Sequence, residues 1–391
     1  MLFRSAKNSN CADHSLPANW LANTSLTQQK KVKIGIAGTS WWADSMYLPA
    51  LSNHPHAEIV AVLGRNAEYT KEFAEKWNIP AAFTDLNQFI EDSDIDAIII
   101  ATADKSHYPI AMKALKAHKH VLCEKPLGLS LQEATEMTEL AHKHQLITMV
   151  PFTYRYMPLN QYTKNLLDQG FIGEHLELNM RYYASFGRNK NYSWRFDQDQ
   201  GGSGALGDIG SHFFYLAYWF FGEISEVYCE LGFQGQRTDK NLENRSYRKA
   251  NDTAKIILRF KSGATGVLHI SSLSYEDQGF KQEHSYELIG TEGKIKTSCD
   301  WYQEQSIKAT RVGHSPISKI PDEFLEDIRM DNVHDTYRDV FRYKDNMARE
   351  FISAVFNLEQ IEPSFDHGKT IQKYIEAALK SHELGSRVKI P

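Results

Sequence analysis

Between Val32 and Val150 short apolar runs alternate with helical repeats, and several of the runs are apolar on both faces. Asp96-Ala97-Ile98-Ile99-Ile100-Ala101 is the clearest of them. A strand with one face in water alternates in polarity, so a run without a polar face must be covered on both sides. The spacing predicts strands at Val32 to Ala37, Glu58 to Leu63, Ala81 to Phe83, Asp96 to Ala101, Lys119 to Cys123 and Leu146 to Val150. Helices are predicted between them at Trp42 to Leu51, Glu68 to Trp77, His107 to Ala117 and Leu131 to His144. Short right-handed crossovers then leave one architecture for residues 32–152, an α/β Rossmann domain with a doubly wound parallel sheet.

From residue 153 the texture changes. A long aromatic helix is expected over Leu206 to Phe221. Alternating strands follow at Val227 to Phe233, Ala254 to Phe260, Ala264 to Ser271, Ser285 to Ile289 and Lys294 to Ser298, parted by turns such as Lys261-Ser262-Gly263 and Gly290-Thr291-Glu292-Gly293. Helices return at Tyr343 to Leu358 and Gly368 to Leu384. Residues 153–391 are therefore expected to form an α+β C-terminal domain around a large open, mostly antiparallel sheet that serves substrate binding and oligomerisation. Residues 1–31 read as a polar extension, with no continuous apolar segment of the kind a secretory signal needs.

Composition excludes several classes of function. The 391 residues carry 44 Lys plus Arg against 49 Asp plus Glu, a net charge of −5, which lacks the basic footprint of a nucleic-acid or anionic-membrane binder. The longest apolar run, Phe213 to Phe221, is about half of the roughly 20 residues needed to span a bilayer. Cys11, Cys123, Cys229 and Cys299 lie far apart with no paired spacing, so neither a metal site nor a disulfide framework is expected, and a cytoplasmic location follows.

The first strand runs into Gly38-Thr39-Ser40-Trp41-Trp42-Ala43, where a dinucleotide turn has its glycine exit, its close approach to pyrophosphate and its small packing residue. Ser40 stands where the second glycine is usual, and a glycine turn of another α/β protein fits the run equally well. A helix N-terminus here offers N–H groups to a diphosphate. The second strand ends in Gly64-Arg65-Asn66 without the carboxylate that binds a ribose 2′-hydroxyl. An acidic side chain about 4 Å from a 2′-phosphate would cost roughly 4 kcal/mol at an effective dielectric of 20. Its absence, with Arg65 as a phosphate donor, favours NADP over NAD.

Two later motifs carry chemistry. Glu124-Lys125-Pro126 sets a lysine just past the carboxyl end of a core strand, where ligands bind in such sheets. Asp208-Ile209-Gly210-Ser211-His212 opens the aromatic helix with Asp208 and His212 four apart, on one face, while Ile209, Phe213, Leu216 and Phe220 form a separate apolar stripe.

With Ala101-Thr102-Ala103-Asp104, His107, Phe152-Thr153-Tyr154-Arg155-Tyr156, Trp194-Arg195 and Pro363-Ser364-Phe365-Asp366-His367-Gly368, these motifs make the chain resemble the Gfo/Idh/MocA oxidoreductases from Lys31 to Pro391. It departs from the family pattern at Ser40, at Ala103-Asp104 in place of Pro-Asn, at Thr153 in place of Asn and at Tyr215 in place of Asp. The resemblance implies hydride transfer between a nicotinamide and a secondary alcohol of a sugar, cyclitol or similar polyol. It implies Lys125, Asp208 and His212 as the catalytic set, with the base role open between Lys125 and His212, and Asp208 orienting His212 or a substrate hydroxyl. Cofactor contacts are implied for Gly38, Thr39, Ser40, Trp41, Trp42, Ala43, Gly64, Arg65, Asn66, Ala101, Thr102, Asp104, His107, Glu124, Lys125, Trp194 and Arg195. Substrate contacts are implied for Lys125, Tyr154, Arg155, Asp208 and His212. Trp41 and Trp42 fit helix packing as well as a cofactor role, and Tyr154 and Arg155 fit a domain junction. Two other functions share these features: a chain that keeps its cofactor through oxidation and re-reduction, and a non-catalytic sensor of NADP(H). The bare face of the second sheet is expected to be apolar and to drive a homo-dimer or homo-tetramer.

Overall fold

A computed structural model describes residues 31–275, 282–300 and 305–391. The polar extension lies outside the described residues apart from Lys31.

The first sheet is built from β1 (Val32–Ala37), β2 (Ala57–Leu63), β3 (Ala81–Phe83), β4 (Ala97–Ile100), β5 (His120–Cys123) and β6 (Thr148–Met149), in the order β3-β2-β1-β4-β5-β6. Every pairing is parallel. Helices α1 (Leu48–Ser52), α2 (Ala67–Trp77), α3 (Leu86–Glu91), α4 (His107–Lys116) and α5 (Leu131–Lys143) connect the strands. All four residues of β4 are buried, as its unbroken apolar run requires. Asn66 starts α2 by accepting the Tyr69 N–H at 2.9 Å, and Ser130 starts α5 by accepting that of Glu133 at 3.1 Å. The strand order reverses between β1 and β4, so the crevice at their carboxyl ends is where such a sheet takes its ligand.

The second sheet combines β7 (His175–Ala184), β8 (Ile224–Gly232), β9 (Thr253–Phe260), β10 (Thr265–Ser271), β11 (Gln282–Gly290), β12 (Gly293–Asp300), β13 (Ser306–Arg311) and β14 (Val388–Lys389). Its order is β13-β12-β11-β7-β10-β9-β8-β14, antiparallel except where β7 meets β10. Helices α6 (Pro158–Asp168), α7 (Ser211–Phe221), α8 (Val333–Arg342), α9 (Ala348–Asn357) and α10 (Phe365–Leu384) complete the chain. The apolar stripe of α7 is buried against the inner sheet face, Phe213 lying 5.8 Å from the rings of Tyr182 and Tyr286 and Phe220 6.3 Å from that of Tyr286. Each such side chain contributes about 1.5–3 kcal/mol of burial.

The outer face departs from expectation. Arg181, Lys255, Arg259, Glu287 and Lys296 share it with Ile257 and Val267, because each strand puts its apolar residues inward and its polar ones outward. It is a mixed surface and not the apolar one foreseen.

Several predicted helices change at their starts, and the one foreseen over Trp42 to Leu51 is π-helical across Ala43–Tyr47. The one foreseen from Leu206 begins as a π-helical segment, Leu206–Gly210, and becomes α-helical at Ser211; the one foreseen from Tyr343 begins at Ala348. The last helices return to the first sheet: Arg342 Nε donates to the Ser45 carbonyl at 2.9 Å, Arg349 Nη1 to that of Ala50 at 2.8 Å, and Val150 N to that of Pro363 at 2.8 Å. Among the described residues no helix is long and apolar enough to cross a membrane.

Candidate active site

The crevice is lined first by the turn after β1. Gly38 sits at φ +112°, and a Cβ there would fall 2.5 Å from the Ala101 carbonyl oxygen at the end of β4, so no side chain fits. Ser40 Oγ accepts the Ala43 N–H at 3.2 Å and the Ser40 carbonyl accepts that of Asp44 at 3.0 Å, which starts the helical stretch despite the missing second glycine. Trp41 is 64% exposed at this turn, whereas Trp42 is half-buried and meets Tyr47 edge-on at 6.5 Å. Gly64 lies alongside, where a Cβ would be 3.1 Å from Thr39 Cγ2 and 2.1 Å from Thr70 Oγ1. Arg65 is exposed, and Asn66 is engaged as the cap of α2.

The residues present fit a dinucleotide. Thr102 Oγ1, next to Gly38, is sealed from solvent with no hydrogen-bond partner, an unmet polar group at the switch point. The stretch 41–47 adds a helix N-terminus whose N–H groups suit a diphosphate.

The chemical groups converge at the end of β5. Lys125 Nζ reaches across to the second half of the chain and donates to Asp208 Oδ1 at 2.6 Å and to the Asp208 carbonyl at 2.9 Å. Arg195 Nε lies 3.6 Å from the other carboxylate oxygen, and the Arg195 guanidinium stacks 5.0 Å from the Trp194 ring. Burial opposes ionisation of Asp208, but the Lys125 and Arg195 cations prevail and hold its carboxyl down at about 2. The same partners act on Lys125: desolvation lowers its proton affinity, Asp208, Glu124 and Asp104 raise it, and the net direction is up. His212 follows one turn later on α7, buried, with its Nδ1 sealed and unpartnered, which leaves Nε2 as the other ring nitrogen. Burial and the Lys125 charge push its pKa well below the ordinary value. The crevice thus pairs an ammonium with a neutral imidazole. Asp208 is committed to Lys125 and Arg195 and makes no hydrogen bond to His212, which corrects the expectation that it orients that ring.

Tyr154 packs its ring 4.8 Å from His212 and 5.1 Å from His284 on β11, and its hydroxyl accepts from Gln282 Nε2 at 3.1 Å. Its neighbour Arg155 points elsewhere. It donates to the Tyr215 hydroxyl, stacks 5.0 Å from the Trp219 ring and lies 4.0 Å from Glu362, contacts that make it a brace along α7.

Two other expected cofactor contacts are also occupied internally. His107 is wholly buried with Nδ1 2.8 Å from the Pro126 carbonyl and Nε2 3.3 Å from that of Thr102. Asp104 is buried, accepts from Ser203 Oγ at 3.0 Å and has its carboxyl pushed up by desolvation. Both fasten the loops that carry the site. Sequence reasoning missed Ser203, His284, Gln282 and Tyr47, whose hydroxyl donates to Glu124 Oε1. Only Ser203 carries a signal in the sequence, inside the glycine-rich run Gly201-Gly202-Ser203-Gly204 shortly before Asp208.

Comparison with known proteins agrees with this geometry. A family model described as "Oxidoreductase family, NAD-binding Rossmann fold" matches residues 32–152, and one described as "GFO/IDH/MocA C-terminal domain" matches 160–296. Levoglucosan dehydrogenase from Pseudarthrobacter phenanthrenivorans is 27% identical over 350 residues, covering 83% of this chain and 88% of that protein. Myo-inositol 2-dehydrogenase from Thermotoga maritima is 27% identical over 284 residues, covering 70% and 79%. A solved structure of levoglucosan dehydrogenase in complex with NADH shares the fold at a TM-score of 0.80 and 23% identity, covering 93% of this chain and 100% of that one. Two adjoining family matches, the parallel sheet with its glycine turn and the mostly antiparallel sheet behind α7 together place the chain in the GFO/IDH/MocA family of NAD-binding oxidoreductases.

Proposed function

We propose that this oxidoreductase interconverts a secondary alcohol and a ketone on a sugar, cyclitol or related polyol. The observation that carries the reading is the pairing of a charged Lys125, held 2.6 Å from Asp208, with a neutral, unpartnered His212 on the next helical turn. The names of the relatives, dehydrogenases of levoglucosan and myo-inositol, support the substrate class.

Gly38 to Ala43, Gly64 to Asn66, Ala101 and Thr102 are the residues that would hold a dinucleotide. A nicotinamide bound there supplies the hydride acceptor in oxidation and the hydride donor in reduction. In oxidation the hydroxyl proton passes to His212 Nε2, which the depressed pKa keeps free to take it. The Lys125 ammonium hydrogen-bonds the same oxygen and stabilises the negative charge that grows on it as the proton departs. In reduction the carbonyl oxygen accepts from Lys125 and takes its proton from His212 Nε2 after that ring has first taken one up from solvent. Tyr154, edge-on to His212 at 4.8 Å, holds that ring in place. The test is turnover of a polyol panel by the wild type and by the Lys125→Ala, His212→Ala double variant; wild-type turnover in the variant overturns the assignment.

Two finer readings belong with this one. NADP is the preferred cofactor, supported by the exposed Arg65 and the lack of a carboxylate from Gly64 to Asn66. Titration of the purified protein with both dinucleotides tests it, and tighter binding of NAD overturns it. The chain also self-associates, as a dimer or tetramer, through the outer face of the second sheet, where Ile257 and Val267 are exposed at its centre. Light scattering of a monomer at micromolar concentration would refute this.

A further inference from the structure

Two π-helical segments occur among the described residues, Ala43–Tyr47 and Leu206–Gly210. Single π turns strain the helical hydrogen-bond ladder and cluster at functional sites, so each calls for an explanation. The end of the first, Tyr47, and the start of the second, Leu206, are 159 positions apart in sequence, yet the two segments grip adjacent residues. The second carries Asp208, which holds Lys125 Nζ at 2.6 Å. The first ends in Tyr47, whose hydroxyl donates to Glu124 Oε1.

We propose that Tyr47 is a positioning residue for Lys125, acting through the Glu124 carboxylate and linking the dinucleotide turn to the group that holds the reacting oxygen. This rests on the role given to Lys125 above. Tyr47 is wholly buried, so its hydroxyl has no solvent to meet, and its ring lies edge-on to Trp42 of the turn. Glu124 Oε2 accepts the Lys125 N–H at 3.2 Å. The carboxylate is therefore fixed by a phenol on one oxygen and, on the other, by the main chain of the residue it supports. A path of direct contacts runs from Trp42 through Tyr47 and Glu124 to Lys125 and on to Asp208.

The charged and titratable neighbours are few. Glu124 is faced by Tyr47 from the first π segment, by Lys125 and the Cys123 thiol on its own strand end, and by His107 from α4. Lys125 is faced by Glu124, by Asp104 from the turn after β4, by Asp208 from the second π segment and by His212 from α7. Burial pushes the Glu124 carboxyl up, and the Tyr47 hydrogen bond is the first of the effects that oppose it.

The test is kinetic. In Tyr47→Phe, Glu124 loses its phenolic donor and takes a proton at higher pH, so the acid limb of the kcat profile for oxidation moves up by about one pH unit. The plateau kcat falls about tenfold or more, while the dissociation constant for the dinucleotide stays within about threefold. Glu124→Gln lowers the plateau by a similar factor, and the double variant is no worse than either single one. An acid limb left in place, or losses that multiply in the double variant, overturns the inference and reduces Tyr47 to a packing residue. Should Tyr47→Phe not fold, 3,5-difluorotyrosine at the same position keeps the volume and strengthens the donor; the limb must then move down, and a limb that stays is equally fatal. Lys125→Ala separates the two proposals: wild-type turnover there sinks the role of Lys125 itself, whereas lost turnover with an unmoved Tyr47→Phe limb sinks only this one.

Discussion

Lys125 and Asp208, 83 positions apart in the chain, meet at 2.6 Å across the seam between the parallel and the mostly antiparallel sheet. The contact is a hydrogen-bonded ion pair in which each partner sets the other's charge: Asp208 drops to about 2 and Lys125 rises. Lys125→Met removes the cation that faces the reacting oxygen and is expected to lower kcat/KM by about 10²–10⁴. Asp208→Asn keeps the shape and removes the counter-charge, so a smaller loss, about 10-fold to 100-fold, is expected, with a fall in the alkaline limb as Lys125 gives up its proton more easily. Steady-state rates from pH 6 to 11 check both, and an alkaline limb unmoved in Asp208→Asn contradicts the pairing.

His212 and Glu124 share the acid side of the profile, His212 as the base and Glu124 as the carboxylate that supports Lys125. A base must be unprotonated, and its folded-state pKa is depressed, so oxidation needs only a pH above that lowered value. The rate should hold through neutrality and decline on the acid side only below the ordinary histidine range of about 6.5. Replacing the Lys125 charge by Met should move that limb upward, because Lys125 is one of the causes of the depression. A wild-type limb at or above pH 6.5 would contradict the burial argument.

Much of this was legible from residue order, because both-face apolar runs admit little besides a covered parallel sheet. Leu206 to His212 marked the segment that brings Asp208 to Lys125 for the same kind of reason, its apolar stripe leaving a separate face for the two polar residues. What stayed hidden was set by tertiary contact. Tyr47 and Glu124 are 77 positions apart, and neither spacing nor residue type links them. Tyr154 and Arg155 are neighbours on a single 3-10 turn, Thr153–Tyr156, so adjacency suggested a shared role while the tight turn sends one to His212 and the other to Tyr215. Strand β7 was missed even though Glu177, Asn179 and Arg181 on the outer face alternate with Leu178, Met180 and Tyr182 on the inner one, the pattern of a half-covered strand.

Gly38 offers a test that separates cofactor binding from catalysis. At φ +112°, with the Ala101 carbonyl 2.5 Å from any Cβ, Gly38→Ala must either strain the turn or push β1 and β4 apart at their ends. Backbone strain of this kind costs about 1–3 kcal/mol, so a melting temperature several degrees lower is expected. Dinucleotide affinity should fall at least tenfold in fluorescence titration, since the same turn carries the N–H groups for the diphosphate. Unchanged affinity would remove the turn from the binding site.

The histidines make the fold itself sensitive to acid. His284 is buried on β11 with Nδ1 3.0 Å from the Tyr286 hydroxyl and Nε2 unpartnered, and burial drives its pKa down to about 4. His212 is shifted the same way. In the unfolded chain both titrate near 6.5, so between pH 6.5 and 4 the unfolded state binds protons that the folded state refuses. Stability is therefore full above about pH 6.5 and lost as pH falls, by about 1.4 kcal/mol per pH unit for each histidine that stays neutral when folded. His284→Phe removes one such group, so its unfolding free energy, whatever its value at pH 7.5, should fall less steeply than the wild type's between pH 6 and 4.5. Urea titrations at several pH values measure both slopes, and equal slopes in the two proteins would show that His284 takes up its proton without unfolding.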